Sequence, residues 1–472
     1  MSQSSRNITQ TKLLTFQCLL SDPSRPEAPR IISALRDRLL DYDENVRKQV
    51  VDVICDVACH SLVSVHVGTI KLVAERLRDK SLLVKKYTME RLADIFRVYC
   101  AECSDGSIDR NEFDWIPGKI FRCFYDKDFR SDMIESVLCG SLFPTEFSIK
   151  DKVKCWIRVF SRFDKIEVKA LERMLEQKQR LRQEMQKYLS LRQRHQDSEA
   201  PEIPKKVLFS FQIMSRSFSD PVKAEEIPAS ISGQDELLKI LAERHQLYDF
   251  LSMLPLKCSY LLFNKEHVKE ILLEATVLKS AGNTLYIQTC MNILVILARF
   301  SPSLLGGAEE ELIHFLKDDN EIIKEGILQV LAKAGSTIRE QLAVSSSSID
   351  LILERLCLEG NRRQAKYAVH ALAAITKDDG IKSLSVLYKS LVDMLEEKTH
   401  LPAVLQSLGC IAQTAMPVFE TRETEIEEFI KSEILGCSND ADGSAKECWD
   451  DKRVFGMEFR KCISKESKKT IM

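Results

Sequence analysis

Asp41 and Asp79 stand 38 residues apart, and so do Val46 and Val84. No other feature of the chain constrains its fold as tightly. Around each Asp the same order of residues recurs. Leu39-Leu40 precede Asp41, and Val46-Arg47, Val50, Ile54 and Val57 follow it. Leu77-Arg78 precede Asp79, and Val84-Lys85, Thr88, Leu92 and Ile95 follow it. In each copy an apolar-periodic helix ends at the Asp, a short turn intervenes, and a second helix opens at the Val-Arg or Val-Lys pair. Such a pair cannot bury its apolar stripes alone, so each must stack on the next. The template returns at Asp318 with Ile323-Lys324, Ile327 and Leu331.

These spacings predict an all-α, HEAT/ARM-type α-solenoid of antiparallel helix pairs. Only 16 Gly and 13 Pro are spread over 472 residues, too few for a turn-rich β fold. The expected order is N-terminal repeats over 12–163, including a first helix over Leu13–Leu20, then one long exposed helix over 165–196. Lys165 to Gln196 contains no Gly or Pro, and its Leu and Met residues recur at helical spacing among an excess of Lys and Arg. Its stripe either pairs with another helix or packs back on the solenoid. A linker over 197–234 follows, with a short helix near Val207 to Ser217. A second repeat block covers 235–430, its last helix closed by Pro417, and a weakly ordered tail covers 431–472.

The net charge of −2 draws the whole molecule toward neither nucleic acid nor membrane. The longest apolar stretch, around Ile293 to Leu297, is far below the ~18 residues of a membrane span. The chain opens on polar residues, and its 15 Cys are scattered singly, which suits buried thiols in a reducing compartment. Cys100-Ala-Glu-Cys103 is a lone CxxC without the second ligand pair a zinc site needs. Asp105, Asp109 and Glu112 match only half of a calcium loop. No P-loop, GxGxxG or GxSxG occurs, so neither a cofactor nor an enzyme is expected.

The basic residues carry more information. Arg47, Lys48, Lys85, Lys86 and Lys324 fall at equivalent repeat positions. Two arrangements satisfy that pattern. One is an internal ladder in which each cation pairs with a neighbouring turn Asp; the other is an outward ridge for acidic partners, polyphosphate or nucleic acid. Arg362, Arg363 and Lys366 form a further candidate surface. A nucleic-acid-binding protein using the ridge is the alternative to a protein-binding scaffold.

Four runs, LLDYDENVRKQVVDVICDVACH, LVAERLRDKSLLVKKYTMERLADIFRVYC, WIPGKIFRCFYDKDFRSDMIESVLC and GNRRQAKYAVHALAAITKDDG, closely resemble the plant branch of the Pds (precocious dissociation of sisters) cohesin-associated proteins. The similarity extends from about Leu19 to Ile434. It implies a nuclear HEAT-repeat scaffold that binds the kleisin subunit of the cohesin complex and the complex's releasing and acetylating regulators. Such a scaffold supports sister chromatid cohesion and DNA repair, and associates with chromatin mainly indirectly. Animal relatives also bind an inositol polyphosphate. The family has several hundred further residues before the point matching Met1, the stretch near Ser230 to Glu236 is shorter here, and the resemblance breaks off past Lys452. The chain thus reads as a truncated form, with an apolar end face expected at each side.

Overall fold

The computed structural model describes residues 28–104, 111–143, 146–197, 202–217, 262–339, 346–375 and 380–435. These residues are helix and connecting turn throughout, with no strand among them. Chain contacts divide the molecule into two units, 1–264 and 265–472.

The first unit contains α1 (Ala28–Arg38), α2 (Glu44–His60), α3 (Val67–Ala74), α4 (Leu82–Ser104), α5 (Ile116–Arg122), α6 (Ser131–Val137), α7 (Ile149–Ser161), α8 (Lys165–Asp197) and α9 (Ile203–Ser215). Asp43 starts α2 by accepting the Asn45 N–H at 2.8 Å, a side-chain cap for a donor the helix itself leaves unpaired. From there Arg47, Val50, Val51, Ile54 and Val57 are buried at helical spacing. They face α4, where Val84, Met89, Leu92, Ile95 and Phe96 are fully enclosed. Trp156 of α7 gathers Phe121, Phe143 and Phe263, with ring centroids 4.4–6.1 Å away, the range in which offset and edge-on rings attract.

The long helix α8 uses both options its stripe allowed. Ala170, Leu171, Met174 and Leu175 are buried where its first half packs on α5. Farther along, Tyr188 meets Phe211 of α9 at 6.0 Å. The exposure expected of this helix is confined to part of its surface. The expected short helix is α9, which starts with Pro204 in its first turn.

In the second unit, α10 (Lys265–Ser280), α12 (Glu309–Leu316), α14 (Ser346–Glu359) and α16 (Gly380–Glu396) alternate with α11 (Thr284–Phe300), α13 (Glu321–Arg339), α15 (Arg362–Ile375) and α17 (Leu401–Thr414). The second helices pack in series, α11 on α13, α13 on α15 and α15 on α17. Two glycines of α13 bring its neighbours close. A Cβ on Gly326 would lie 2.6 Å from Met291 Cβ of α11, and one on Gly335 would lie 3.0 Å from Ala374 Cβ of α15.

Helix α17 ends at Thr414 ahead of Pro417, as expected, but Pro417 does not end the helical run. It sits in the first turn of α18 (Met416–Phe419), where a missing N–H costs nothing, and α19 (Glu423–Phe429) continues into a π-turn to Leu435. The expected helices Leu13–Leu20, Asp235–Leu254 and most of Leu256–Phe263 lie outside the described residues, as does the tail from 436. The expected apolar end faces border residues 1–27 and 436–472, also outside that set.

Candidate functional site

The repeated turn Asp performs two tasks where the ladder is complete. One carboxylate oxygen accepts the backbone N–H two residues on, closing the turn. Asp41 does this to Asp43 (3.0 Å), Asp79 to Ser81 (3.0 Å), Asp126 to Asp128 (3.0 Å), Asp164 to Ile166 (2.8 Å) and Asp318 to Asn320 (2.7 Å). In four of these turns the carboxylate also holds a cation from the preceding helix pair. Arg47 donates to Asp79, Lys85 to Asp126 at 2.7 Å, Arg122 to Asp164, and Lys279 to Asp318 at 2.8 Å.

The Arg47 rung is the most enclosed. Its guanidinium also donates to the carbonyls of Asp41 and Tyr42 at 2.8 and 2.9 Å, so one side chain joins its own turn to the next. Lys85 replaces this fork with two acceptors, adding Asp128 at 2.7 Å. The cations hold the carboxyls in their charged form. For Asp126 the Lys85 hydrogen bond is the main cause of a pKa below the usual 3.8. For Asp79 and Asp318 burial pushes upward, but the hydrogen bonds from Arg47 and Lys279, those from the backbone N–H groups of Ser81 and Asn320, and the nearby positive charges together outweigh it.

This geometry corrects part of the expected binding surface. Arg47 and Lys85 are only 3% and 6% exposed and are occupied within the ladder, so they do not face a partner. Lys48 is half-buried, its ammonium 4.6 Å from the centre of the Tyr87 ring. Lys86 is exposed, 3.9 Å from Glu90.

Beyond Asp318 the ladder acid is turned away from the preceding cation. Asn361 caps α15 by accepting the Gln364 N–H at 2.9 Å, as Asn320 caps α13. The place of Asp318, two residues before the cap, is thus taken by Glu359, whose carboxylate is held by Arg355 at 2.9 Å. Lys324, the positional equivalent of Arg47 and Lys85, makes no ion pair among the described residues. Arg363 is exposed and only loosely paired, 3.8 Å from Glu325.

Further basic groups adjoin this layer. Arg362, Lys366 and His370 fall at i, i+4 and i+8, one line along α15. Lys366 and Lys333 of α13 make no ion pair among the described residues. Burial lowers the His370 pKa from its usual 6.5, and these two ammonium groups lower it further. Like charges side by side cost stability, so the grouping of Lys333, Lys366 and His370 is one the isolated fold tolerates rather than gains from. Lys333 and His370 were not identified from sequence, because only the packing of α13 on α15 brings them together.

A cleft of about 850 Å³ in the first unit lies among α6, α8 and α9, with Phe124, Phe129, Leu181 and Ile213 in its lining. Of its basic groups, Arg130, Lys178 and Arg180 are held by Asp132, Glu135 and Glu176. No group of three or more His, Cys, Asp or Glu side chains able to hold a metal ion occurs among the described residues. The half calcium loop lies mostly outside them. No helix there is long and apolar enough to cross a membrane.

Stacked helix pairs with a charged ladder along the turns define an all-α helical-repeat protein of the HEAT/ARM class. Comparison with known proteins makes the class specific. The chain belongs to the PDS5 family, described as sister chromatid cohesion protein PDS5, whose profile matches residues 14–229 and 226–462. That match is wider than the run from Leu19 to Ile434 on which the resemblance rested. The chain is 62% identical over 473 residues to sister chromatid cohesion protein PDS5 homolog A of Arabidopsis thaliana, covering 93% of this chain and 30% of the relative. It is 24% identical to PDS5 homolog B of Homo sapiens, covering 89% of this chain and 32% of that one. It thus spans about a third of the length of the curated relatives it matches. A crystal structure of Kap121p overlaps 98% of this chain and 50% of its own, at 12% identity and a TM-score of 0.29.

Proposed function

We propose that this chain is a non-catalytic scaffold of sister chromatid cohesion, acting in the nucleus. It binds the kleisin subunit of cohesin and the factors that release or acetylate the complex, and so supports cohesion and DNA repair. The observation that carries the reading to particular residues is the set of unpaired cations on α13 and α15. Lys324, Lys333 and Lys366 make no ion pair among the described residues, and an acidic segment of a partner would supply carboxylates in trans. Arg362 and Arg363 flank the same face. Chromatin association is then mainly indirect, through the protein partner.

A test is capture of cohesin subunits from nuclear extract by the purified chain, compared with a K324E/K333E/K366E variant. The reading expects capture by the parent chain and at least a tenfold loss in the variant at unchanged melting temperature. Equal capture by both would overturn the assignment of this face. A second reading, direct nucleic-acid binding, rests on the same basic residues. It requires affinity for DNA that falls steeply with salt, whereas a kleisin segment also anchored by apolar contacts stays bound at high salt. Competition by an inositol polyphosphate would indicate that the face takes clustered phosphates rather than carboxylates.

A further inference from the structure

The sulfurs of Cys100 and Cys155 lie 3.6 Å apart. Cys100 is near the end of α4 and Cys155 is in α7, 55 residues farther along the chain. Cys100 is half-exposed, while Cys155 is 7% exposed. Neither is in a disulfide. A disulfide needs about 2.0 Å between sulfurs, so side-chain rotation and a small helix adjustment have roughly 1.5 Å to close. The segment between them contains α5 and α6 with the Arg122 and Asp126 rungs, so a bond here would tie together both ends of one stretch of the ladder.

We propose that Cys100 and Cys155 are an oxidative modification site, joined by peroxide into a reversible cross-link between α4 and α7. The half-exposed Cys100 reacts first. Its sulfur forms an S–O bond as the peroxide O–O bond breaks, giving a sulfenic acid and one water. Cys155 then attacks the Cys100 sulfur. The S–S bond forms, the S–O bond breaks, and hydroxide leaves with the Cys155 proton as a second water. Two thiols and one hydrogen peroxide thus give one disulfide and two waters. The division of labour follows from the environment. Contact with Cys100 and burial raise the Cys155 pKa well above its usual value, which keeps it a thiol and a poor first target. Its position makes it the resolving partner. A small-molecule thiol restores the pair by exchange.

The test is treatment of the full-length chain with hydrogen peroxide, followed by tryptic mass spectrometry under non-reducing conditions. The expected product joins the peptide of Cys100 to that of Cys155 at a mass lower by two hydrogens. Its formation should raise the melting temperature by several degrees, reversibly with dithiothreitol, because it closes a long loop. Cys155→Ala should leave Cys100 as a sulfenic acid that dimedone traps, and Cys103→Ser should form the cross-link as the parent does. A Cys100–Cys103 product, or sulfinic acid at Cys100 of the parent chain with no cross-link, would overturn the proposal.

Discussion

The guanidinium of Arg47 grips the carboxylate of Asp79 with two bonds, Nε to Oδ2 at 2.9 Å and Nη2 to Oδ1 at 2.7 Å. Both side chains are 3% exposed, and the two residues belong to successive helix pairs. Two parallel bonds fix the orientation of the groups as well as their distance. Removing either partner strands the other charge away from water, which typically costs about 3–5 kcal/mol. Arg47→Met and Asp79→Leu should each destabilise the chain by that order, and the double variant should recover most of the loss. Urea unfolding of all four proteins checks this, and full additivity of the two losses would contradict it.

Acid should weaken the stack in a defined window. The carboxyls of Asp79, Asp126 and Asp318 titrate below the usual 3.8 in the folded chain. A depressed carboxyl contributes stability above its unfolded pKa and loses it as pH falls through the folded value. Stability should therefore hold from neutral pH to about 4 and drop below that. Asp126→Asn should flatten the drop, as read by thermal unfolding from pH 7 to pH 2.5. An unchanged acid limb in that variant would remove Asp126 from the explanation.

Gly326→Ala should destabilise the second unit by about 1–3 kcal/mol, because Met291 meets the new methyl through its own Cβ, which rotation about χ1 does not move away. Met291→Ala in the same chain should relieve part of the strain. Hydrogen exchange would show faster opening of α11 and α13, with no change in α2 and α4.

Much of this architecture was legible in the sequence because a repeat states its own constraint. The 38-residue spacing located Asp41 and Asp79, and helix Thr284–Phe300 agrees residue for residue with its apolar periodicity. What spacing could not decide was the direction of the equivalent cations. Arg47 and Lys324 occupy the same repeat position, yet one is buried against Asp79 and the other makes no ion pair among the described residues. The difference lies in the next turn, where Asp79 faces Arg47 in one case and Glu359 is held by Arg355 in the other, and that relation appears only once the layers are stacked. The pairing of Cys100 with Cys155 was hidden for the same reason. The local CxxC drew attention to Cys103, whereas Cys155, 55 residues away in the chain, lies within 3.6 Å of Cys100.

The rungs couple each layer only to the next, so mechanical tension along a unit passes through them in series. Where a rung is absent, helix packing must carry the load. Within residues 265–435 that is the step from α13 to α15. There Lys324 makes no ion pair among the described residues, but the two helices pack closely and Glu325 reaches Asn361 and Arg363. A partner could therefore occupy the cations there without the stack depending on them.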